Sequence, residues 1–394
     1  MPDAFIPQDP DPHPTQEIRD MSLEFIGYIG TQHSSEIIDA PRSGLDLAHV
    51  ERTARAHEEG GFDRALVAFH STSPESILVA QHAASVTKTL GFMVAHRPGF
   101  TQPTLAARQL ATLDQITGGR SAVHIITGGN EFEMQQDGSF IDKDERYART
   151  DEYLDVVRKV WTSDQPFDHE GRFYRHAQAF SHVRSPQRPH IPVYFGGASD
   201  AAIQVAGKHA DVYALWGETH EQVRETVRRV REAAARHGRT VRFSLSLRPI
   251  LAGTEAAAWA RADSILEQAR ELATRQGRLH RPVPANVGSQ RLLAAAAQGP
   301  RLDKRLWTGI SALLGAQGNS TALVGTPEQV ADALLDYRDL GISTFLIRGF
   351  DPLADAIAYG RDLLPLVRAQ AAIRPDLSHV ASANASQGAD AVAA

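Results

Sequence analysis

The sequence predicts an α/β fold, a (β/α)8 TIM barrel with insertions, and three observations carry that expectation. Eight short apolar runs alternate with segments of helical period over roughly 350 residues. Nearly every run breaks off into a polar or glycine-bearing loop. No glycine fingerprint follows the first run, because Gly27 and Gly30 are not spaced for one, and this demotes the competing doubly wound sheet.

The runs begin near residues 23, 65, 90, 122, 191, 211, 241 and 344. Leu23 to Ile29 is the first, and its exit loop carries His33. A helix over Gly44 to Gly60 leads to Ala65 to Ala68, whose exit loop carries His70. Pro74 to Ala84 reads as the next helix. Leu90 to Ala95 then ends in His96-Arg97-Pro98-Gly99, and Pro103 opens a helix that Gly118-Gly119 stops. Ala122 to Ile126 follows, ending in Thr127-Gly128-Gly129. A parallel strand, helix, strand unit brings its two strand C-termini together, so His96, Arg97, Thr101, His124 and Thr127 are expected on one rim.

Further on, 134–145 reads as loop, Arg149 to Trp161 as helix and Phe167 to Phe180 as a surface hairpin. Ile191 to Phe195 runs into Gly196-Gly197-Ala198-Ser199 and a helix to His209. Asp211 to Leu215 ends at Trp216-Gly217, a helix spans Glu221 to His237, and Val241 to Leu251 is a long strand. After the helix Glu255 to Arg275, residues 276–304 are rich in Gly, Pro, Gln and Arg and read as a lid-like insertion. Thr326 caps a helix to Leu340, Thr344 to Ile347 is the last strand, and Pro352 to Gln370 closes the barrel. One barrel domain over 22–371 is expected, with a disordered arm at 1–21 and a disordered tail at 372–394.

Composition narrows the function. With 41 Lys and Arg against 47 Asp and Glu, the chain lacks the basic field that nucleic acid needs. It has no cysteine, which removes disulfides, thiolate metal sites and cysteine nucleophiles. No run approaches the roughly 18 apolar residues of a membrane span, and the N-terminus has no signal-peptide pattern, so a cytoplasmic protein with no membrane partner is expected.

Several motifs together resemble the bacterial-luciferase-like flavin-dependent monooxygenases, and among them the alkanesulfonate monooxygenase group. They are Arg97 to Gly128 (RPGFTQPTLAARQLATLDQITGGRSAVHIITG), Glu145-Arg146-Tyr147, Tyr194 to Asp200 (YFGGASD), Asp211 to Gly217 (DVYALWG) and Thr321 to Gly325 (TALVG). The resemblance spans about residues 23 to 368. It implies reduced FMN (FMNH2) delivered by a separate NAD(P)H-dependent flavin reductase, O2 as co-substrate, a peroxyflavin, a small organic substrate, and a homodimer or homotetramer. The group's reaction is oxidative desulfonation to an aldehyde and sulfite.

For the site, a strand-to-helix turn of Gly196, Gly197, Ala198 and Ser199 offers amide N–H groups to a phosphate, or is simply a tight turn. The resemblance makes Tyr147 a phosphate contact and puts His124 where the family has an asparagine touching the flavin ring. Thr127 is the second ring contact and Trp216 a wall of the substrate pocket. His33, His70 and His96 all follow strands on the expected rim, yet no H-x-x-x-H or H-x-H pattern accompanies them, and no metal is expected. The group's usual sulfonate-binding positions align with Ser73, Ser246, Arg248, Phe350 and a place near Gly315, so its anion clamp is rebuilt or absent. Arg97, Arg248 and Arg348 are the arginines available to rebuild it. The competing readings are hydride transfer with a deazaflavin on the same barrel and a noncatalytic flavin-binding protein.

Overall fold

The computed structural model describes residues 23–40, 44–279 and 284–375. In its first half the barrel lays down β1 (Glu24–Ile29), α1 (Leu47–Glu59), β2 (Arg64–Val67), α2 (Ser76–Ser85), β3 (Gly91–His96), α3 (Pro103–Ile116) and β4 (Ser121–Ile125). Two helices, α4 (Glu131–Gln136) and α5 (Lys143–Thr162), then precede a hairpin of β5 (Phe167–Glu170) and β6 (Arg175–Ala179). The sequence reads 134–145 as loop, whereas helix occupies both of its ends. Asn130 accepts hydrogen bonds from the Phe132 and Glu133 amides and Asp142 from the Glu145 amide, so two caps start helices within a polar stretch that has little apolar periodicity.

The second half runs β7 (Val193–Gly196), α6 (Asp200–His209), β8 (Val212–Trp216), α7 (His220–Ala235), β9 (Arg242–Leu251) and α8 (Glu255–Arg275). An excursion follows: α9 (Val287–Gln298), β10 (Arg301–Leu302), β11 (Leu306–Trp307), α10 (Gly309–Leu314) and β12 (Ala322–Gly325). The chain then closes through α11 (Pro327–Asp339), β13 (Thr344–Ile347), α12 (Pro352–Ala358), a π-turn at Tyr359–Leu363 and α13 (Leu364–Ile373). Thr326 and Gln329 form a reciprocal capping box at the start of α11.

Eight parallel strands close into the barrel in the order β1, β2, β3, β4, β7, β8, β9, β13, with β13 returning to β1. They are the eight apolar runs of the sequence. Inside the barrel, Ile26, Met93, Ala122, Tyr194, Val212 and Leu346 pack together. Below them Glu24 ties the strands: Arg64 Nε donates to it at 2.7 Å, Tyr194 Oη at 2.8 Å and Thr344 Oγ1 at 3.1 Å. The larger apolar core lies between the outer face of the strands and the helices.

Strand β9 belongs to two sheets. Its Ser244–Leu247 half pairs with β13, and from Arg248 to Leu251 it pairs with β12, which continues through antiparallel β11 and β10. A second apolar cluster, with Ile250, Ile265, Trp307, Val324 and Phe350, fills this accessory layer beneath α8. The 276–304 segment, expected as an irregular lid, therefore contains the helix α9 and a strand, and its residues 280–283 lie outside the described residues. The expected arm at 1–21 also lies outside them, as does the tail beyond residue 375, while α13 carries the folded chain to Ile373.

Candidate active site

Parallel strands put all their C-termini at one end of the barrel, and the exit loops there enclose a cavity of about 470 Å³. Its floor is apolar, with Leu66, Met93 and Leu346, and Tyr28, Phe69 and Trp216 stand around it.

One pole of the cavity is the turn between β7 and α6. Ser199 caps α6 by accepting the Ala202 amide at 3.3 Å, so the turn lies directly at a helix N-terminus. Gly197 sits at φ 139°, and a Cβ there would come within 2.8 Å of Ala202 Cβ and 2.9 Å of Tyr147 Oη. Only glycine gives this close approach of backbone and phenol. The Tyr213 hydroxyl donates to the Gly197 carbonyl and fixes the peptide. Tyr147, buried on the second turn of α5, has its phenol pKa raised by burial and stays a donor. Lys143, one turn earlier on the same helix, also lines the cavity.

Beside this pole two polar atoms lack partners. His124 lines the cavity from β4 and its Nδ1 makes no hydrogen bond; burial pushes its pKa down to about 4, so the imidazole is neutral. Thr127 follows it with a buried Oγ1 that is also unpartnered. Buried polar groups are normally satisfied, so two unpartnered polar atoms in side chains that line a cavity mark this wall for a ligand.

A sequence model of the luciferase-like monooxygenase family matches residues 23–344. The chain belongs to that family. Among solved structures, a riboflavin lyase with modified FMN and riboflavin superposes on this chain with a TM-score of 0.74 and 21% identity, covering 90% of this chain and 93% of the other. The EDTA monooxygenase of Chelativorans sp. BNC1 gives 0.70 at 21% identity over 90% and 95% of the two chains. An F420-dependent secondary alcohol dehydrogenase gives 0.64 at 17% identity over 88% and 99%. At these identities the likeness is one of fold.

The residues singled out in the sequence separate into two groups in this member of the family. His124, Thr127, Tyr147, Gly196, Gly197, Ala198, Ser199, Trp216 and Arg348 line the cavity. His33, His96, Arg97 and Arg248 do not. His33 is half-exposed and pairs with Asp351 at 3.2 Å. His96 points outward, since successive residues of a strand face opposite ways and its neighbour Ala95 faces the cavity. Its Nε2 meets Tyr153 Oη at 2.7 Å, and burial pushes its pKa down to about 4. Arg97 is consumed by Glu133 at 2.9 Å and Asp137 at 3.6 Å and lies 4.9 Å over the Phe69 ring, so it latches α4 to the exit loop of β2. Arg248 shares the inward parity of Ser244 and Ser246, yet β9 has already turned towards β12 at that point.

Sequence reasoning missed Glu36. This carboxylate, from the exit loop of β1, lies 2.8 Å from Arg248 Nη2 and 3.0 Å from Arg348 Nη2. Burial alone would raise its pKa, but the two guanidinium groups hold it down at about 2. Also missed were Asn319, which lines the cavity with both side-chain polar atoms buried and unpartnered, and Asn286 and Gly288 at the start of α9. Gly288 lies so close to the Trp216 ring that a Cβ would stand 2.9 Å from it. Neither spacing nor local pattern marks these positions; Glu36 and Arg348, 312 positions apart in the chain, meet only in the fold.

Among the described residues, one cluster has metal-binding geometry, Asp151, Asp155 and His209. Lys208 Nζ already sits 2.8 Å from both carboxylates there, and none of the three lines the cavity. No helix of the described residues is long and apolar enough to cross a membrane.

Proposed function

We propose that this protein is the oxygenating component of a two-component FMNH2-dependent monooxygenase acting on a small organic substrate, an alkanesulfonate or related organosulfur compound being the substrate class. The reading is carried by the orphaned His124 Nδ1 and Thr127 Oγ1 beside a glycine turn at the N-terminus of α6. These residues fit a flavin mononucleotide. Gly197, Ala198, Ser199 and Tyr147 would hold its phosphate, with Lys143 as the nearby cation, and His124 and Thr127 would hydrogen-bond its ring edge.

When bound in its reduced form, the flavin supplies activation of O2, one oxygen atom going to the substrate and the other leaving as water. For a sulfonate, oxygenation of the carbon bearing sulfur releases an aldehyde and sulfite. The protein's part is positioning and exclusion of water. Neutral His124 orients the ring without adding charge, Tyr147 and Tyr213 fix the phosphate turn, and Trp216 beneath α9 shields the cavity from solvent. A separate NAD(P)H-dependent reductase would supply the reduced flavin through a transient encounter, and assembly as a homodimer or homotetramer belongs to the same reading.

FMN and riboflavin titrations followed by flavin fluorescence test the binding half. The wild-type chain should prefer FMN, and Gly197→Val should weaken FMN at least about tenfold while changing riboflavin far less. Oxygen consumption with a flavin reductase, FMN and a panel of sulfonates, sulfones and amines tests the other half. Tight oxidised FMN with no substrate-dependent consumption would point to a flavin carrier instead. Tighter binding of a deazaflavin than of FMN would favour hydride transfer; one of the structural neighbours is named as an F420-dependent secondary alcohol dehydrogenase.

A further inference from the structure

The second pole of the cavity lies three to four strands around the barrel mouth from the α6 turn, where β13 and β1 end. Two buried or half-buried arginines share one carboxylate there: Arg248 and Arg348 both pair with Glu36. Arg348 faces the cavity, its Nη2 committed to Glu36 and its Nε without a hydrogen-bond partner among the described residues. Arg248 lies behind it, stacked 3.6 Å over the Phe350 ring and donating to the Gly349 carbonyl at 2.9 Å. Two positive charges against one negative leave a residual charge of +1 in the wall. Glu218, also on the lining, pairs with Arg291, which pairs in turn with Glu225, so that cluster adds no positive charge to the wall. Asn319, just before β12, also lines the cavity, its side-chain amide buried and unpartnered among the described residues.

We propose that Glu36 sets the charge of the head group this cavity accepts, so that the β13 and β1 pole takes the monoanionic end of an amphiphilic substrate. This rests on the proposed function only in taking the cavity as the substrate site. A carboxylate or sulfonate balances the residual charge against Arg348, while its apolar body lies along Leu66, Met93 and Leu346. A phosphonate dianion overshoots that balance beside the Glu36 carboxylate. A neutral alcohol leaves a buried, uncompensated cation, and desolvated charge imbalance is costly in either direction. Glu36 thus acts as a specificity-determining residue without needing to touch the substrate, by cancelling one of the two arginines.

The test is calorimetric titration of the FMN-loaded and flavin-free full chain at about pH 9.5, where octylphosphonate is a dianion, with octanoate, octanesulfonate, octylphosphonate and 1-octanol. The wild-type chain should bind the two monoanions at least about tenfold more tightly than the other two probes. Glu36→Gln, which raises the residual charge to +2, should improve octylphosphonate relative to octanesulfonate by about tenfold or more. Glu36→Asp should keep the monoanion preference, and Arg348→Met should lose it while still binding 1-octanol. An unchanged preference in Glu36→Gln, or 1-octanol binding as well as the monoanions in the wild-type chain, overturns the assignment. The FMN dissociation constant reads the other proposal independently: selectivity that shifts in a chain that never binds FMN sinks the flavin reading alone, and FMN binding with immovable selectivity sinks this one alone.

Discussion

His57 shows how far one side chain constrains its surroundings. Buried between α1 and β1, it bonds the Thr53 carbonyl through Nδ1 at 2.7 Å and accepts the Tyr28 amide through Nε2 at 3.3 Å. A Cβ on Gly27 would stand 1.9 Å from its ring, so the glycine is required by the imidazole. Gly27→Ala should cost about 2 kcal/mol or more in urea unfolding, through overpacking and loss of these bonds; a change below about 0.5 kcal/mol would refute the account. His57, His96 and His124 are all held neutral by burial, each with its pKa pushed down to about 4 from an ordinary 6.5. Between those two values the unfolded chain binds more protons than the folded one, so stability falls as pH falls through that window, by up to ~1.4 kcal/mol per pH unit for each group. Above pH 6.5 these groups contribute no slope. Melting temperatures should be level from pH 7 to 8 and drop steadily from pH 6.5 to 4.5, and a flat profile over the lower range would contradict the burial of the three rings.

At the scale of elements, α9 decides how the mouth is covered. Its anchor is Arg291, which grips Glu218 through Nε at 2.9 and 3.0 Å and through Nη2 at 2.8 Å, and reaches Glu225 through Nη1 at 3.0 Å. Removing the arginine strands a buried carboxylate, which costs about 3–5 kcal/mol for such pairs. Arg291→Met should therefore speed proteolysis between residues 276 and 304 and lower the melting temperature. The double variant with Glu218→Gln should recover part of that stability, and additive losses would show that the two side chains are not coupled. This helix was illegible in the sequence for a physical reason. Its core contacts are few, Ser289, Leu292 and Ala295, so the apolar period is weak, and the Gly- and Pro-rich residues before it obscure the Asn286 cap. The barrel strands were legible because a strand buried on both faces is a continuous apolar run with a polar end. Glycine turns and strand-end residues such as Trp216 could be placed from that pattern alone. Alternation along β3 explains why His96 was misjudged: the expected rim was right for the strand and wrong for the face.

For the molecule as a whole, the barrel and the accessory layer share β9, and neither has a complete sheet without it. They should unfold together. Trp161 packs in the barrel layer and Trp307 in the accessory cluster, so variants retaining one or the other as sole tryptophan report on each. Their urea midpoints should coincide, and a separation beyond about 0.5 M would show two independent units. The change of partner at Arg248 has a further consequence. Where β9 leaves β13 and takes up β12, the Arg248 guanidinium sits against the Gly349 carbonyl and the Phe350 ring. A barrel whose seventh strand stayed zipped to its eighth would offer no such berth, and the second arginine would have nowhere to stand. The tally of charges at the mouth is thus written into the parting of two strands, and relatives that lack the fork should lack the paired cations.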